Sequence, residues 1–210
     1  VCATFVSATR DVFAGERGLD SWKTTFFRPS DSTWRDPAQG GGFAYGQASH
    51  SIALMLNLTG LAAREVSAFA VKANGIDLIN AAAISFANGA AGALSGAAAM
   101  PQGFRGAMRF LITGDEGIMS AEFDRDLCEI RRFDGKVEQL PLQPGDWVYR
   151  CDGPVHALVD LALGRGANRS PGDTGAATVS LIAALLASAE KGGEPERVHA
   201  PQGASPEDRE

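Results

Sequence analysis

Apolar and polar positions follow a strand-like pattern along the middle of the chain. Short runs rich in apolar and β-branched residues are separated by turn signals, three of which are dipeptides that favour two-residue hairpin loops. These dipeptides are Asn74-Gly75, Asn88-Gly89 and Asp134-Gly135. The pattern predicts about eight strands, most of them antiparallel to their neighbours. The predicted strands cover residues 1–9, 66–73, 76–87, 91–99, 105–113, 118–124, 127–133 and 136–140.

Helix-like spacing of apolar residues occurs in three further segments, 40–60, 152–163 and 170–191. Helices packed on one face of an open, mainly antiparallel sheet make an α+β fold, which is the predicted class. The other face of the sheet would then expose a large apolar area. We therefore expect a homo-oligomer that forms through this open face.

The length of 210 residues suits one ordinary domain with a substantial core. We expect this domain over residues 1–192 and a disordered tail over 193–210, because the tail is rich in Gly, Pro and charged residues. Residues 11–42 are predicted to be irregular, and their aromatic side chains suit either a pocket wall or a subunit contact. Since the chain begins with Val, we expect it to be part of a longer protein.

Composition argues against two classes of partner. A net charge of -6 and the lack of a basic run argue against nucleic-acid binding. No apolar stretch reaches about 18 residues, so neither a transmembrane helix nor a membrane partner is expected.

Cys2, Cys128 and Cys151 are widely spaced, which favours free thiols in a reducing compartment and hence a cytoplasmic location.

His50 is the candidate functional residue of the first predicted helix. Helical spacing places it on one face with Gly46, Ala53 and Asn57, where the imidazole is almost the only bulk. An imidazole titrates near neutral pH and suits acid–base chemistry, although a single histidine on a helix is more often structural. The histidines are too far apart to predict a metal site, and the adjacent Ser49 does not form a nucleophile–base pair with His50.

The segment 34–50, WRDPAQGGGFAYGQASH, resembles the C-terminal domain motif of the glucose–fructose oxidoreductase and inositol dehydrogenase (Gfo/Idh/MocA) family. In that motif a Trp-Arg-x-Asp lead-in precedes GGG-x-x-x-D-x-G-x-H and an apolar helix that ends in glycine. Residues 40–42 match the glycine run, and His50 matches the histidine. Gly46 stands where the family has an aspartate, and Ala48 stands where it has a glycine.

Two further segments, 112–117 and 170–173, resemble family motifs in the same order along the chain. The resemblance covers the chain up to residue 192 and implies a C-terminal domain like that of glyceraldehyde-3-phosphate dehydrogenase. It also implies an NAD(P)-dependent oxidoreductase that acts on the CH–OH group of a sugar, an inositol or a related polyol.

The resemblance implies that His50 is the acid/base of this reaction. The predicted substrate-binding residues come partly from the lead-in of the motif and partly from their nearness to His50. They are Trp34, Arg35, Tyr45, Gln47 and Ser49. Because Gly46 replaces the family's aspartate, the motif here lacks the aspartate that usually pairs with the histidine.

The cofactor implied by the resemblance is NAD or NADP, yet the chain lacks a G-x-G-x-x-G turn between a strand and a helix. The family's nucleotide-binding domain and its Glu-Lys-Pro lysine lie upstream of this type of segment. No cofactor-binding residue is therefore predicted in this chain, and the chain alone is predicted to be inactive. No metal ligand is predicted either, because of the spacing of the histidines. The alternatives are a non-catalytic binding or oligomerisation module that retains the scaffold, and a purely structural His50.

Overall fold

The predicted hairpins assemble into one open sheet in the computed structural model, which describes residues 1–14, 31–100, 106–142 and 152–199. Its strands within these residues are β1 Cys2–Val6, β2 Ala63–Ala73, β3 Ile76–Phe86, β4 Ala91–Ala97, β5 Ala107–Thr113, β6 Gly117–Glu122, β7 Leu127–Arg132, β8 Val137–Gln139 and β9 Glu196–Arg197. Their order across the sheet is β8-β7-β6-β5-β1-β4-β3-β2-β9.

Neighbouring strands are antiparallel except for β1 and β4, which are parallel. Strand β1 lies between β4 and β5, where Cys2 pairs with Ala93 on one side and with Leu111 on the other. At the β2–β3 hairpin both Asn74 and Gly75 have positive φ, as a type I′ turn requires. The prediction of an open, mainly antiparallel sheet is confirmed.

The segment after residue 192 differs from the prediction of a disordered tail. Residues Glu196 and Arg197 form β9, which pairs with the start of β2. The buried Ser188 holds this return, because its hydroxyl accepts the Ala68 N–H at 2.8 Å and donates to the Glu194 carbonyl at 2.6 Å. Such tertiary hydrogen bonds leave no mark in local composition, and the tail residues from 200 onward lie outside the described part of the chain.

The helices in the described residues are α1 Arg10–Ala14, α2 Asp31–Arg35, α3 Ser49–Thr59, α4 Asp152–Ala162 and α5 Gly172–Glu190. Helices α3 and α5 cover one face of the sheet, as predicted. They bury Ile52, Met55 and Leu56 from α3, and Leu181, Ile182 and Leu185 from α5. Helices α1 and α2 lie in the segment predicted to be irregular, and residues 15–30 between them lie outside the described part.

Helices α5 and α4 differ in how much of their surface is covered. Among the described residues, α5 is the one helix long and apolar enough to cross a membrane by length and composition. It packs Leu181, Ile182 and Leu185 against the sheet, as the core helix of a globular domain does. By contrast, every residue of α4 is exposed, so its apolar stripe, which includes Leu158, is without cover in the described structure.

The sheet face opposite α3 and α5, which we call the open face, has two zones. Over β1 to β4 it presents small side chains, such as Ala83 and Ala93, which lie opposite each other in adjacent strands. The exposed Phe69 borders this zone on β2. Over β5 to β8 the face carries charged pairs, of which Arg109 with Asp124 is bidentate at 3.0 and 2.6 Å.

Candidate functional site

The glycine run is required by close contacts of the backbone. A 3₁₀ turn, Pro37–Gln39, precedes it, and the Asp36 carboxylate caps this turn by accepting the Ala38 N–H at 2.9 Å. A Cβ atom on Gly41 would lie 2.7 Å from the Asp36 nitrogen. Gly42 has a φ of +109°, and a Cβ there would lie 2.0 Å from Asp77 Oδ1. A side chain at Gly41 would collide with the backbone of residues 35 and 36, and one at Gly42 would collide with the Asp77 carboxylate and strain a left-handed backbone.

Phe43 anchors the segment that follows to the centre of the sheet. Its ring is fully buried and lies 6.0 Å from the ring of Phe5 on β1. On β4, a Cβ atom at Gly96 would lie 2.5 Å from the Phe43 ring, so Gly96 provides the space for it. The start of the His50 segment is therefore held above β1 and β4 by an aromatic contact.

A π-helical turn, Ala44–Ala48, leads directly into α3. Such turns insert an extra residue into the helical repeat and are frequent at functional sites. Helix α3 ends at Gly60, which is left-handed with φ 64° and donates its N–H to the Leu56 carbonyl. Ile52, Met55 and Leu56 form the buried stripe, whereas Leu58 is 44% exposed and takes no part in the core.

His50 lies in the first turn of α3 with its side chain on the outer surface of the helix layer. Although the residue is exposed, the surrounding protein still removes enough water from the ring to lower the pKa of the imidazole. The ring is therefore neutral at pH 7 and able to accept a proton.

The other predicted site residues fall into two groups. Tyr45, Gln47 and Ser49 lie on the π-helical turn and at the start of α3, and all three are half-buried. Their segment is continuous with His50. Trp34 and Arg35, at the end of α2, contact α1: the Trp34 ring is edge-on to Phe13 at 6.3 Å, and Arg35 Nε donates to the Val12 carbonyl at 3.2 Å.

The position of the family's aspartate is filled by an aromatic ring. A Cβ atom at Gly46 would lie 2.7 Å from Cζ of Phe13 and 3.5 Å from the Trp34 ring. Phe13 is only 2% exposed, so it has little room to move away. The absence of a side chain at Gly46 thus allows Phe13 of α1 and Trp34 of α2 to pack against the π-helical turn.

Asp77 is the polar residue of this region that the sequence reasoning missed. It is buried, and its carboxylate accepts the Ala44 N–H at 2.8 Å. The signal was available, since an acidic residue in the apolar run after Asn74-Gly75 is unusual for a buried strand.

The hydrogen bond from the Ala44 N–H to Asp77 also bears on whether the glycine run could bind a phosphate. A helical N-terminus attracts anions through its free N–H groups. Here the Asp77 carboxylate already occupies that position at Ala44. The described residues therefore offer no cradle for the phosphates of a dinucleotide at this turn, nor do they contain three His, Cys, Asp or Glu side chains grouped for a metal ion.

The solved structures that this chain resembles include oxidoreductases and dehydrogenases. An oxidoreductase domain protein from Kribbella flavida has a TM-score of 0.65 at 17% identity, over 94% of this chain and 58% of that one. Levoglucosan dehydrogenase in complex with NADH and L-sorbose has a TM-score of 0.64 at 18% identity, over 94% of this chain and 57% of that one. UDP-N-acetylglucosamine 3-dehydrogenase from Acidithiobacillus ferrooxidans has a TM-score of 0.63 at 14% identity, over 90% of this chain and 53% of that one. At these identities the likeness concerns the fold, and the chain spans a little over half the length of these proteins.

No curated protein sequence matches the chain significantly. Residues 19–197 match the family model described as the oxidoreductase family, C-terminal alpha/beta domain. This match covers most of the sheet, both core helices and the whole segment from the glycine run to His50. The chain therefore belongs to the Gfo/Idh/MocA oxidoreductase family, as its C-terminal alpha/beta domain.

Proposed function

We propose that this chain is the substrate-binding part of an NAD(P)-dependent oxidoreductase that acts on the CH–OH group of a sugar, an inositol or a related polyol. The observation that carries the proposal is the exposed imidazole of His50, with a lowered pKa, at the histidine position of the family motif. Among the structures with this fold, levoglucosan dehydrogenase was solved with NADH and levoglucosan.

Oxidation of an alcohol carbon needs an acceptor for the hydroxyl proton as the hydride leaves. A nicotinamide, when bound, supplies the hydride acceptor. His50 is the proton acceptor in this proposal, and the polar side chains of Tyr45, Gln47 and Ser49 bind substrate hydroxyl groups beside it. Trp34 and Arg35, which pack against α1, are the contribution of α2 to substrate binding in this proposal. Because the His50 pKa is lowered, turnover should fall on the acid side only below the usual imidazole range.

The nicotinamide site belongs, in this proposal, to a nucleotide-binding domain outside this chain. Its supporting observation is that the carboxylate of Asp77 already takes the helical N–H at Ala44 beside the glycine run. The chain alone should then neither bind NAD(P) tightly nor turn over. Its two described cysteines are unpaired, Cys2 exposed and Cys128 buried, which suits the cytoplasm.

The test is to fuse a nucleotide-binding domain of the family upstream and to measure nicotinamide reduction with a panel of sugars and inositols. His50→Asn should lower turnover by about 100-fold or more, because the proton acceptor is lost. His156→Asn, on the exposed helix α4, is the matched control and should leave the rate unchanged. An active fusion whose rate is unaffected by His50→Asn would remove the catalytic role of the imidazole.

A non-catalytic binding module is the second candidate. The packing of Phe13 against Gly46 favours it, because this packing leaves no room for the family's carboxylate next to the helix. Such a module would bind a polyol without turnover in any fusion. Calorimetry with the same panel of polyols, run beside the rate assay, separates the two candidates.

We further propose that the protein is a homo-oligomer through its open face. The small side chains over β1 to β4 would allow two sheets to approach closely, and the apolar Phe69 at the border would be covered. A symmetric dimer needs such a self-complementary patch.

A further inference from the structure

Asp77 stands out because it is a carboxylate in the hydrophobic core. It is the second residue of β3, directly after the turn at Asn74-Gly75, and it is 4% exposed. Its Oδ2 atom accepts two hydrogen bonds, from the Ala44 N–H at 2.8 Å and from Asn80 Nδ2 at 2.7 Å. A buried carboxylate is costly unless it is hydrogen-bonded in this way, so the arrangement constrains both partners.

The two partners of Asp77 differ in kind. Asn80 lies on the same strand, is 1% exposed, and braces the carboxylate from the sheet side. Ala44 is the first residue of the π-helical turn, and its N–H is one of the amides that a helical start leaves without an intrahelical acceptor. A carboxylate at this position is also favoured by the positive end of the helix dipole.

The other carboxylate oxygen packs against the glycine run. Oδ1 lies so close to Gly42 that a Cβ atom on this residue would be 2.0 Å away. The Gly42 N–H in turn donates to the Trp34 carbonyl at 3.1 Å. One side chain from the sheet therefore contacts the backbone on both sides of Phe43, immediately before the segment that carries Tyr45 and His50.

We propose that Asp77 is the positioning residue of the His50 site. Its carboxylate holds the glycine run and the first amide of the helical segment on the sheet, and thereby sets the direction in which Tyr45 and His50 are presented to a substrate. Asp77 acts through Ala44 and Gly42 and does not touch the substrate itself. The role in substrate presentation rests on the proposed function, whereas the mechanical coupling to His50 does not.

The negative charge of Asp77 has a second effect on the neighbouring Tyr45. Burial and, to a smaller extent, this charge raise the pKa of the Tyr45 phenol. The phenol therefore stays protonated at neutral and mildly alkaline pH, where it can donate a hydrogen bond. This property suits a side chain that would bind a substrate hydroxyl.

The test uses the 210-residue chain without cofactor or substrate. Asp77→Asn keeps the size of the side chain and removes its charge. The Ala44 amide should then exchange with solvent about tenfold faster, because a charged acceptor is replaced by a weaker neutral one. In the same variant, the NMR resonances of Tyr45 and His50 should shift, and the titration midpoint of His50 should change.

Two further variants make the result decisive. Asn80→Ala retains the charge and removes one hydrogen bond, so smaller shifts of the same sites would show that geometry, and not charge alone, couples Asp77 to His50. Glu129→Gln is the matched control, since Glu129 is also a buried carboxylate and is held by Arg131 and Gln139 on the open face. It should leave His50 and Ala44 as in the wild type.

The proposal is overturned if Asp77→Asn and Asn80→Ala both leave the His50 titration and the Ala44 exchange rate unchanged. It is also overturned if Glu129→Gln changes them equally, which would indicate general loosening. If Asp77→Asn does not fold, the result for Asn80→Ala decides. Because no turnover is measured, this outcome is independent of the fusion experiment that tests the oxidoreductase function.

Discussion

At the scale of single residues, the environment of His50 depends on contacts between distant parts of the chain. The motif made His50, Tyr45, Gln47 and Ser49 predictable as one local group. The contact between Phe13 and Gly46 was not predictable, because it joins α1 to the π-helical turn across a segment without a periodic pattern. The hydrogen bond from Ala44 to Asp77 spans 33 residues, and no local pattern indicates which distant amide a buried carboxylate will accept.

Restoring the family's aspartate by Gly46→Asp should destabilise the chain. The new side chain would overlap Phe13 and place a charge against an aromatic ring, so we expect a loss of about 2–4 kcal/mol in the free energy of unfolding. Phe13→Ala in the same chain should create the missing space. The loss in free energy of unfolding of the double variant should then be smaller, by at least about 1 kcal/mol, than the sum of the losses of the two single variants. Denaturant unfolding measures all three.

The matched control for this cycle is Gly175→Asp on α5, where a Cβ atom would meet nothing within 4 Å. It should change the free energy of unfolding by less than about 0.5 kcal/mol. Additive single effects, or a fully stable Gly46→Asp variant, would show that Phe13 does not block the position.

At the scale of elements, regular structure was predicted where the sequence has a period or a strong turn. The hairpin at Asn74-Gly75 and the long helices α3 and α5 are of this type. The five-residue helices α1 and α2 are too short to show a periodic stripe, and the two-residue strand β9 exists only through its pairing with β2. The π-helical turn likewise depends on Phe43, which packs against the sheet just before the turn, and on Asp77 of β3, which accepts the Ala44 N–H.

The return of the chain to the sheet at β9 should depend on one hydroxyl group. Ser188→Ala leaves the Ala68 N–H without an acceptor in a buried position, which should cost about 1–3 kcal/mol. Hydrogen exchange at Val198, whose N–H donates to the Arg64 carbonyl, should report the fraying of β9. Ser180→Ala, on the same helix and half-buried, is the control and should be nearly neutral. Protection of Val198 that is unchanged in Ser188→Ala would contradict this account.

At the scale of the whole molecule, the two faces of the sheet have different roles. One face carries α3, α5 and the His50 segment, and the other has no helix on it in the described residues. The α+β class and the open face were predictable from the runs of small and β-branched residues. The central position of β1 was not, since the pairing of a strand with two others far along the chain leaves no local pattern.

Substitution of Ala83 by Arg should separate the proposed homo-oligomer. Ala83 is exposed in β3 and faces Ser67 and Ala93 of the adjacent strands, so a long charged side chain there would keep two sheets apart. Light scattering at micromolar concentration should show the assembly for the wild type and a monomer for Ala83→Arg. Leu158→Arg, at a 66% exposed position of α4, is the control and should keep the assembly. If only Leu158→Arg dissociates the assembly, the contact between protomers lies on α4 and not on the open face.

The position of β1 also has a consequence for how the molecule folds. This strand joins the hairpins of β2 to β4 to those of β5 to β8, and it pairs with both groups through backbone hydrogen bonds. It is synthesised before either group, so its pairing with β4 and with β5 must wait until each of these strands has been synthesised. Each group of hairpins closes over short distances along the chain, whereas each pairing of β1 closes a long loop. We therefore expect insertion of β1 to be the slow step that converts two local sheets into one.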